Sequence, residues 1–145
     1  MKASRLGAAL LVTVAVGCSD STSPASPSDF VGDWLASSYV VTNIANTSQS
    51  EDLTALGITL SLMFTETTYS GTASFPGELA ETFSGTYTIS GNELTLNETG
   101  ELEPDMMTYT LSGNTMTLTG NDDEFDFDND GLDDPATFAM VFQKQ

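Results

Sequence analysis

The sequence predicts an all-β protein, an antiparallel up-and-down β-barrel of eight strands. Three observations predict it. Residues 87–96, YTISGNELTL, return as YTLSGNTMTL at 109–118, and in both copies Gly-Asn stands between two runs that alternate apolar and polar residues. That is the pattern of a two-residue hairpin. The same alternation runs through most of the chain from residue 34 onward, with short links and little helical periodicity. The number of such strands is even, and a sheet with one apolar face that closes on itself loses its edges. A two-sheet sandwich is the alternative that the same pattern allows.

The hairpin register follows from the turn. With Gly91-Asn92 as the loop, Ile89 faces Leu94, Tyr87 faces Leu96 and Thr88 faces Thr95. With Gly113-Asn114 as the loop, Leu111 faces Met116, Tyr109 faces Leu118 and Thr110 faces Thr117. Apolar meets apolar and threonine meets threonine in both. A slip of one residue would mix the faces. Two copies do not make a solenoid.

Taken in order, the expected strands cover about 34–43, 57–66, 67–75, 80–90, 93–98, 105–112, 115–127 and 136–144. The second places Ile58, Leu60, Leu62 and Phe64 on one side. The fourth places Phe83, Gly85, Tyr87 and Ile89 on one face, and a glycine inside a strand predicts a bend or a close approach. The last places Phe138, Met140 and Phe142 together. Residues 50–56, SEDLTAL, have a cap-like start, enough for a short turn.

The N-terminus carries Lys2 and Arg5, then the apolar run LGAALLVTVAV at 6–16. A basic start, a short apolar run and a small-residue exit form a secretory signal. A membrane-spanning helix needs about 20 apolar residues. The exit, AVGC at 15–18, resembles the lipobox of bacterial lipoproteins, with Ala15 in place of the usual leucine. The resemblance implies a signal peptide over 1–17, cleavage after Gly17, acylation of the Cys18 sulfur (palmitate or a similar chain) and acylation of the new N-terminus. Cys18 is the only cysteine, so an intrachain disulfide is excluded, and lipid attachment accounts for a lone thiol in an exported chain. Ser19 follows the cysteine and Asp20 comes one place too late for inner-membrane retention, which implies the outer membrane. Residues 18–29 are Ser/Pro-rich and read as a flexible tether, leaving 30–145 as one domain.

Acids number 21 and bases 3. Loss of the leader removes Lys2 and Arg5 and leaves Lys144, a net charge of about −20 from one base against 21 acids. Nucleic acid and anionic lipid headgroups are poor partners, because both require cationic surfaces, and no nucleic-acid partner is expected. A saline habitat is a bland account of the same charge. Histidine is absent, which excludes Ser-His-Asp, Cys-His and histidine-based metal catalysis. Paired carboxylates can serve glycoside hydrolysis, but among so many acids no pair stands out. The chain is expected not to be an enzyme.

One loop is a candidate for chemistry. Residues 122–135 read DDEFDFDNDGLDDP, and Asp126, Asp128, Asp130 and Gly131 match the opening of an EF-hand calcium loop. Alternate carboxylates converge on one hard cation, and the glycine permits the tight turn. Leu132 then offers its carbonyl and Asp134 its carboxylate, while Thr137 stands where a bidentate glutamate is expected. The alternative is a solvated acidic hairpin turning at Asp130-Gly131.

FVGDWLASSYVV at 30–41 resembles the Gly-x-Trp opening of lipocalins and of bacterial lipocalin-like lipoproteins, through Gly32, Asp33 and Trp34. The two repeats and the ending FAMVFQK add to the resemblance, which covers about residues 30–144. It implies that Trp34 heads the first strand and plugs one barrel end. The family's arginine over that tryptophan is not evident, and Lys144 is the candidate substitute. A barrel of this size can hold one small apolar ligand. The inward candidates are Phe64, Tyr69, Phe83, Tyr87 and Tyr109, with Met116, Phe138 and Met140. The alternative is that they fill a solid core, which would make the protein a structural or interaction lipoprotein with the acidic loop as a cation-dependent contact.

Overall fold

The computed structural model describes residues 25–145, apart from the side chain of Asp122. The expected signal peptide, Cys18 and most of the tether lie outside the described residues. One sheet contains every strand: β1 (Gly32–Asn43), β2 (Ser50–Asp52), β3 (Thr59–Phe64), β4 (Thr68–Ser74), β5 (Glu81–Ser90), β6 (Glu93–Glu98), β7 (Asp105–Ser112), β8 (Thr115–Phe125) and β9 (Asp134–Lys144). Each of β3 to β9 pairs antiparallel with the next, and β9 returns to pair with β1 from Ala136 to Lys144. The barrel is therefore closed, eight-stranded and up-and-down, as expected. The three-residue β2 takes over from β3 along the far half of β1, and the turn expected from SEDLTAL follows it, with Asp52 Oδ1 accepting from Thr54 N at 3.0 Å.

Both repeat hairpins have the predicted register. Ile89 pairs with Leu94 and Tyr87 with Leu96; Leu111 pairs with Met116 and Tyr109 with Leu118. Gly91 and Gly113 take φ of +63° and +58°, the positive angle required at the first central position of a type II′ turn. Threonines pair on the outer wall, Thr88 with Thr95 and Thr110 with Thr117. Gly85 is a close approach: a Cβ there would strike the backbone carbonyl of Asn97.

Two bulges set the inner face. On β1, Ala36 pairs with Phe142 and Ser38 with Val141, so Ser37 is an extra residue. The bulge shifts the alternation by one and keeps Trp34, Ala36, Tyr39 and Val41 all turned inward. On β8 the register shifts between Gly120 and Asp123, which puts Asp123 and Phe125 on the inner face.

The two ends of the barrel differ. At one end the links are residues 65–67, Gly91-Asn92 and Gly113-Asn114; at the other they are the longer loops 44–49, 53–58, 75–80, 99–104 and 126–133. A short helix, α1 (Pro27–Phe30), plugs the short-turn end. The helix begins at Pro27, within the stretch read as a tether, and Phe30 is its buried residue. Pro27 sits in the first turn, where its missing N–H costs nothing. Ser26 donates its N–H and hydroxyl to Asp29 Oδ2 at 2.7 and 2.9 Å. Phe30 is fully buried, with ring centroids 5.0 Å from Tyr109 and 5.7 Å from Phe64. Trp34 donates its indole N–H to the Phe30 carbonyl at 2.7 Å. Lys144 lies over Trp34, its Nζ 5.2 Å from the ring centroid, close enough for a cation–π contact. It occupies the place expected of the family's arginine.

Candidate functional site: the barrel mouth

The inner face is graded along the barrel axis. Phe64, Tyr69, Tyr87, Tyr109, Met116 and Met140 are buried in one cluster with Phe30 and Trp34. Phe64 stands 5.0 Å from Tyr87 and 6.1 Å from Tyr69, centroid to centroid. Six of the eight candidate ligand residues thus pack on one another and on the plug.

The other two, Phe83 and Phe138, face the open end and are half-buried. Each pairs across the sheet with a glycine, Phe83 with Gly71 and Phe138 with Gly120. A Cβ on either glycine would collide with the facing ring. Both rings therefore lie against the neighbouring strand instead of reaching across the lumen. Tyr39 and Leu60 are half-buried on the same inner face. Together these side chains form an apolar mouth above the sealed core.

Polar groups ring this mouth. The Tyr39 hydroxyl donates to Asp123 Oδ2 at 2.7 Å. Burial pushes the Tyr39 phenol well above its ordinary pKa, and the hydrogen bond and charge of Asp123 push it further. Glu98 continues the inner face of Leu94 and Leu96; Asp105 opens that of Met107 and Tyr109. Burial raises the Glu98 carboxyl, with Glu101 and then Asp105 adding to the shift. Tyr69, at the floor of the mouth, is pushed up to about 12 by burial, then by Glu98 and Asp105. None of Tyr39, Glu98, Asp105 or Asp123 was a sequence candidate. For Glu98 and Asp105 the signal was present, since each stands two residues from an inward apolar residue.

The acidic loop sits on the open rim. Asp126, Asp128 and Asp130 each offer a carboxylate oxygen, all within 4.8 Å of one another. Backbone donors hold them: Asp130 N to Asp126 Oδ1 at 3.1 Å, Gly131 N to Asp126 Oδ2 at 3.0 Å and Leu132 N to Asp130 Oδ1 at 2.9 Å. Asn129 and Gly131 have φ of +58° and +88°, which reverses the chain. Asp134 opens β9, paired with Phe125, and stands outside this group of three.

The family model of the lipocalin-like domain matches residues 30–118, from the buried plug residue Phe30 to Leu118 within β8. The rest of β8, the acidic loop and the closing strand lie beyond the matched segment. No curated protein and no solved structure matches the chain. The match spans more than half of the chain and agrees with the closed eight-stranded barrel: this chain belongs to the lipocalin-like domain family.

Proposed function

We propose that the protein is a non-enzymatic, lipid-anchored binding module of the bacterial outer membrane, taking a small apolar ligand at the barrel mouth. The observation that carries the binding reading is the graded inner face. A buried aromatic core supports a half-buried apolar mouth, with the Phe83 and Phe138 rings packed against Gly71 and Gly120. Pockets of this kind, apolar with a few placed polar groups, are where small molecules bind. The anchoring reading rests on the basic leader, its apolar run and the lone Cys18 before a Ser/Pro stretch.

The test of binding is titration with a neutral apolar fluorophore such as N-phenyl-1-naphthylamine. Saturable enhancement is expected, weakened by Phe83→Ala and Phe138→Ala. A flat titration ends the reading. The test of anchoring is Cys18→Ala, which should release the protein from membranes or block its processing; unchanged fractionation and mass would rule out lipidation.

A second reading is favoured by the three converging carboxylates on the rim. In it the loop binds calcium weakly through Asp126, Asp128 and Asp130, with the Leu132 carbonyl and Asp134 completing the set. Its affinity falls in the roughly 10⁻⁴–10⁻³ M range of extracellular sites.

A further inference from the structure

The exposed apolar side chains of this protein are not scattered. Among the described residues ten large hydrophobics are exposed, and six of them, Ile44, Leu56, Phe75, Leu79, Leu102 and Leu132, stand on the loops of the open end. Each of the five loops there carries at least one, whereas the closed-end turns at 65–67, 91–92 and 113–114 carry none. Leu79 is 91% exposed and Leu102 97%, so neither buries enough to stabilise the fold. A single exposed leucine needs no account. One apolar side chain on every loop of one barrel end does, and exposed apolar groups gathered in one place mark an interaction surface. The loops that carry Leu56 and Leu79 are in contact, since a Cβ on Gly57 would come within 3.1 Å of the Pro76 ring.

Charge says what covers this surface. Glu78 precedes Leu79, Glu101 and Glu103 flank Leu102, and Asp133 follows Leu132. All four carboxylates are exposed. Lys144, the only base after Arg5, is at the closed end over Trp34. The rim therefore offers apolar tips beside negative charge, with no base among its loops. Two such ends placed face to face would bring like charges together, which disfavours a second copy. A bilayer would take the leucines only by pressing their flanking carboxylates against headgroup phosphates. A protein segment with lysine or arginine around an apolar centre matches both features at once, and a basic amphipathic helix has that surface.

We propose that the open end is a docking surface for a basic amphipathic protein segment, with the loop-tip leucines buried in the contact and their neighbouring carboxylates paired with the partner's bases. This goes beyond the small-ligand reading, because the loop tips surround the mouth and need no ligand within it.

Isothermal titration of the purified protein with three synthetic peptides tests it: an amphipathic helix of leucine and lysine, an oligolysine of equal charge, and the leucine peptide with glutamate in place of lysine. The leucine–lysine peptide is expected to bind at least about tenfold more tightly than oligolysine, with no binding of the glutamate peptide. Leu79→Ser with Leu102→Ser leaves the charge unchanged and should weaken the leucine–lysine peptide by about tenfold or more. Glu101→Gln with Glu103→Gln should weaken it and lessen its dependence on salt. Glu66→Gln with Glu93→Gln removes the same charge from the closed end and should leave the affinity unchanged. If the leucine–lysine peptide does not bind, or binds no more tightly than oligolysine, the docking surface is overturned. If the leucine pair binds like wild type, or the closed-end pair costs as much as the rim pair, the attraction is bulk charge and the proposal fails. Co-sedimentation with neutral phosphatidylcholine vesicles, or self-association, that the leucine pair abolishes would assign the tips to a membrane or to a second copy and overturn it as well. Leu79 and Leu102 are almost wholly exposed, so their substitution leaves the fold intact, which an unchanged melting temperature verifies. Fluorophore binding at the mouth is measured on the same variants, and its persistence without peptide binding, or the reverse, separates this proposal from the small-ligand reading.

Discussion

Tyr109 donates its phenolic O–H to the Gly91 carbonyl at 2.8 Å and its backbone N–H to the Asn92 carbonyl at 2.8 Å. Tyr87, its counterpart in the repeat, donates its O–H to the Thr65 carbonyl at 2.7 Å and its N–H to Thr67 at 3.3 Å. Each tyrosine thus ties its own hairpin to the closed-end turn of the hairpin before it. The repeated sequence encodes a repeated staple, and this accounts for the near-identity of the two stretches.

Removing only the hydroxyl separates the staple from the packing. Tyr87→Phe and Tyr109→Phe should each cost about 0.5–1.5 kcal/mol, the net value of one hydrogen bond. Tyr87→Ala and Tyr109→Ala should each cost about 3–5 kcal/mol, because a buried aromatic is lost as well. Equilibrium denaturation measures both. Equal losses from the Phe and Ala variants would show that the core contributes nothing at these positions.

The plug carries the next expectation. Phe30 is fully buried, and its carbonyl accepts from Trp34. Phe30→Ala should destabilise by about 3–5 kcal/mol and shift Trp34 fluorescence to the red as water reaches the closed end. An unchanged emission maximum would mean that α1 does not seal the barrel.

The parts of the fold legible in the sequence were those where a period of two ran unbroken into Gly-Asn. The bulges were not legible, because an extra residue such as Ser37 looks like lost alternation. The plug was hidden by composition: ASPSD resembles the tether before it, although Pro27 and the Ser26–Asp29 spacing are a helix-start signal. For the candidate site, periodicity told which side chains turn inward but not how deep they lie. Tyr87 and Phe83 share a face in the sequence, yet one is sealed under the plug and the other looks out of the mouth. Depth depends on α1 and on the shortness of the turns at one end, which no single strand encodes.

The rim loop should respond to calcium specifically. Eight acids lie between Asp122 and Asp134, and a bound divalent ion offsets their repulsion. Calcium at about ten times Kd should stabilise by roughly 1.4 kcal/mol through binding to the native state. Monovalent salt screens the same charges, so melting is compared with sodium at matched ionic strength. Asp128→Asn with Asp130→Asn should abolish the calcium increment and keep the sodium effect. Equal responses to both salts would leave the loop a solvated acidic turn.

Two carboxylates should give stability opposite dependences on pH. Asp52 is held below its ordinary 3.8, first by the Thr54 hydroxyl and then, against some burial, by the N–H groups of Tyr39 and Thr54 and the Ser38 hydroxyl. A depressed folded pKa gives stability that is present above the unfolded value and lost as pH falls through the folded one. Asp52→Asn should therefore lower the melting temperature at neutral pH, and the gap to wild type should close below about pH 3.8. Glu98 is raised above its ordinary 4.5, first by burial and then by Glu101 and Asp105. Its contribution is fully present below the unfolded value and is lost as pH rises through the folded one, so the ionised group burdens the native state at neutral pH. Glu98→Gln should raise the melting temperature near neutrality, and the gain should vanish below about pH 4.5. Melts of both variants and wild type, from about pH 3 to about pH 7, measure the two gaps directly. A Glu98→Gln variant less stable than wild type at neutral pH would mean that the glutamate is not held charged at a cost in the mouth, and the electrostatic account of that site would fall with it.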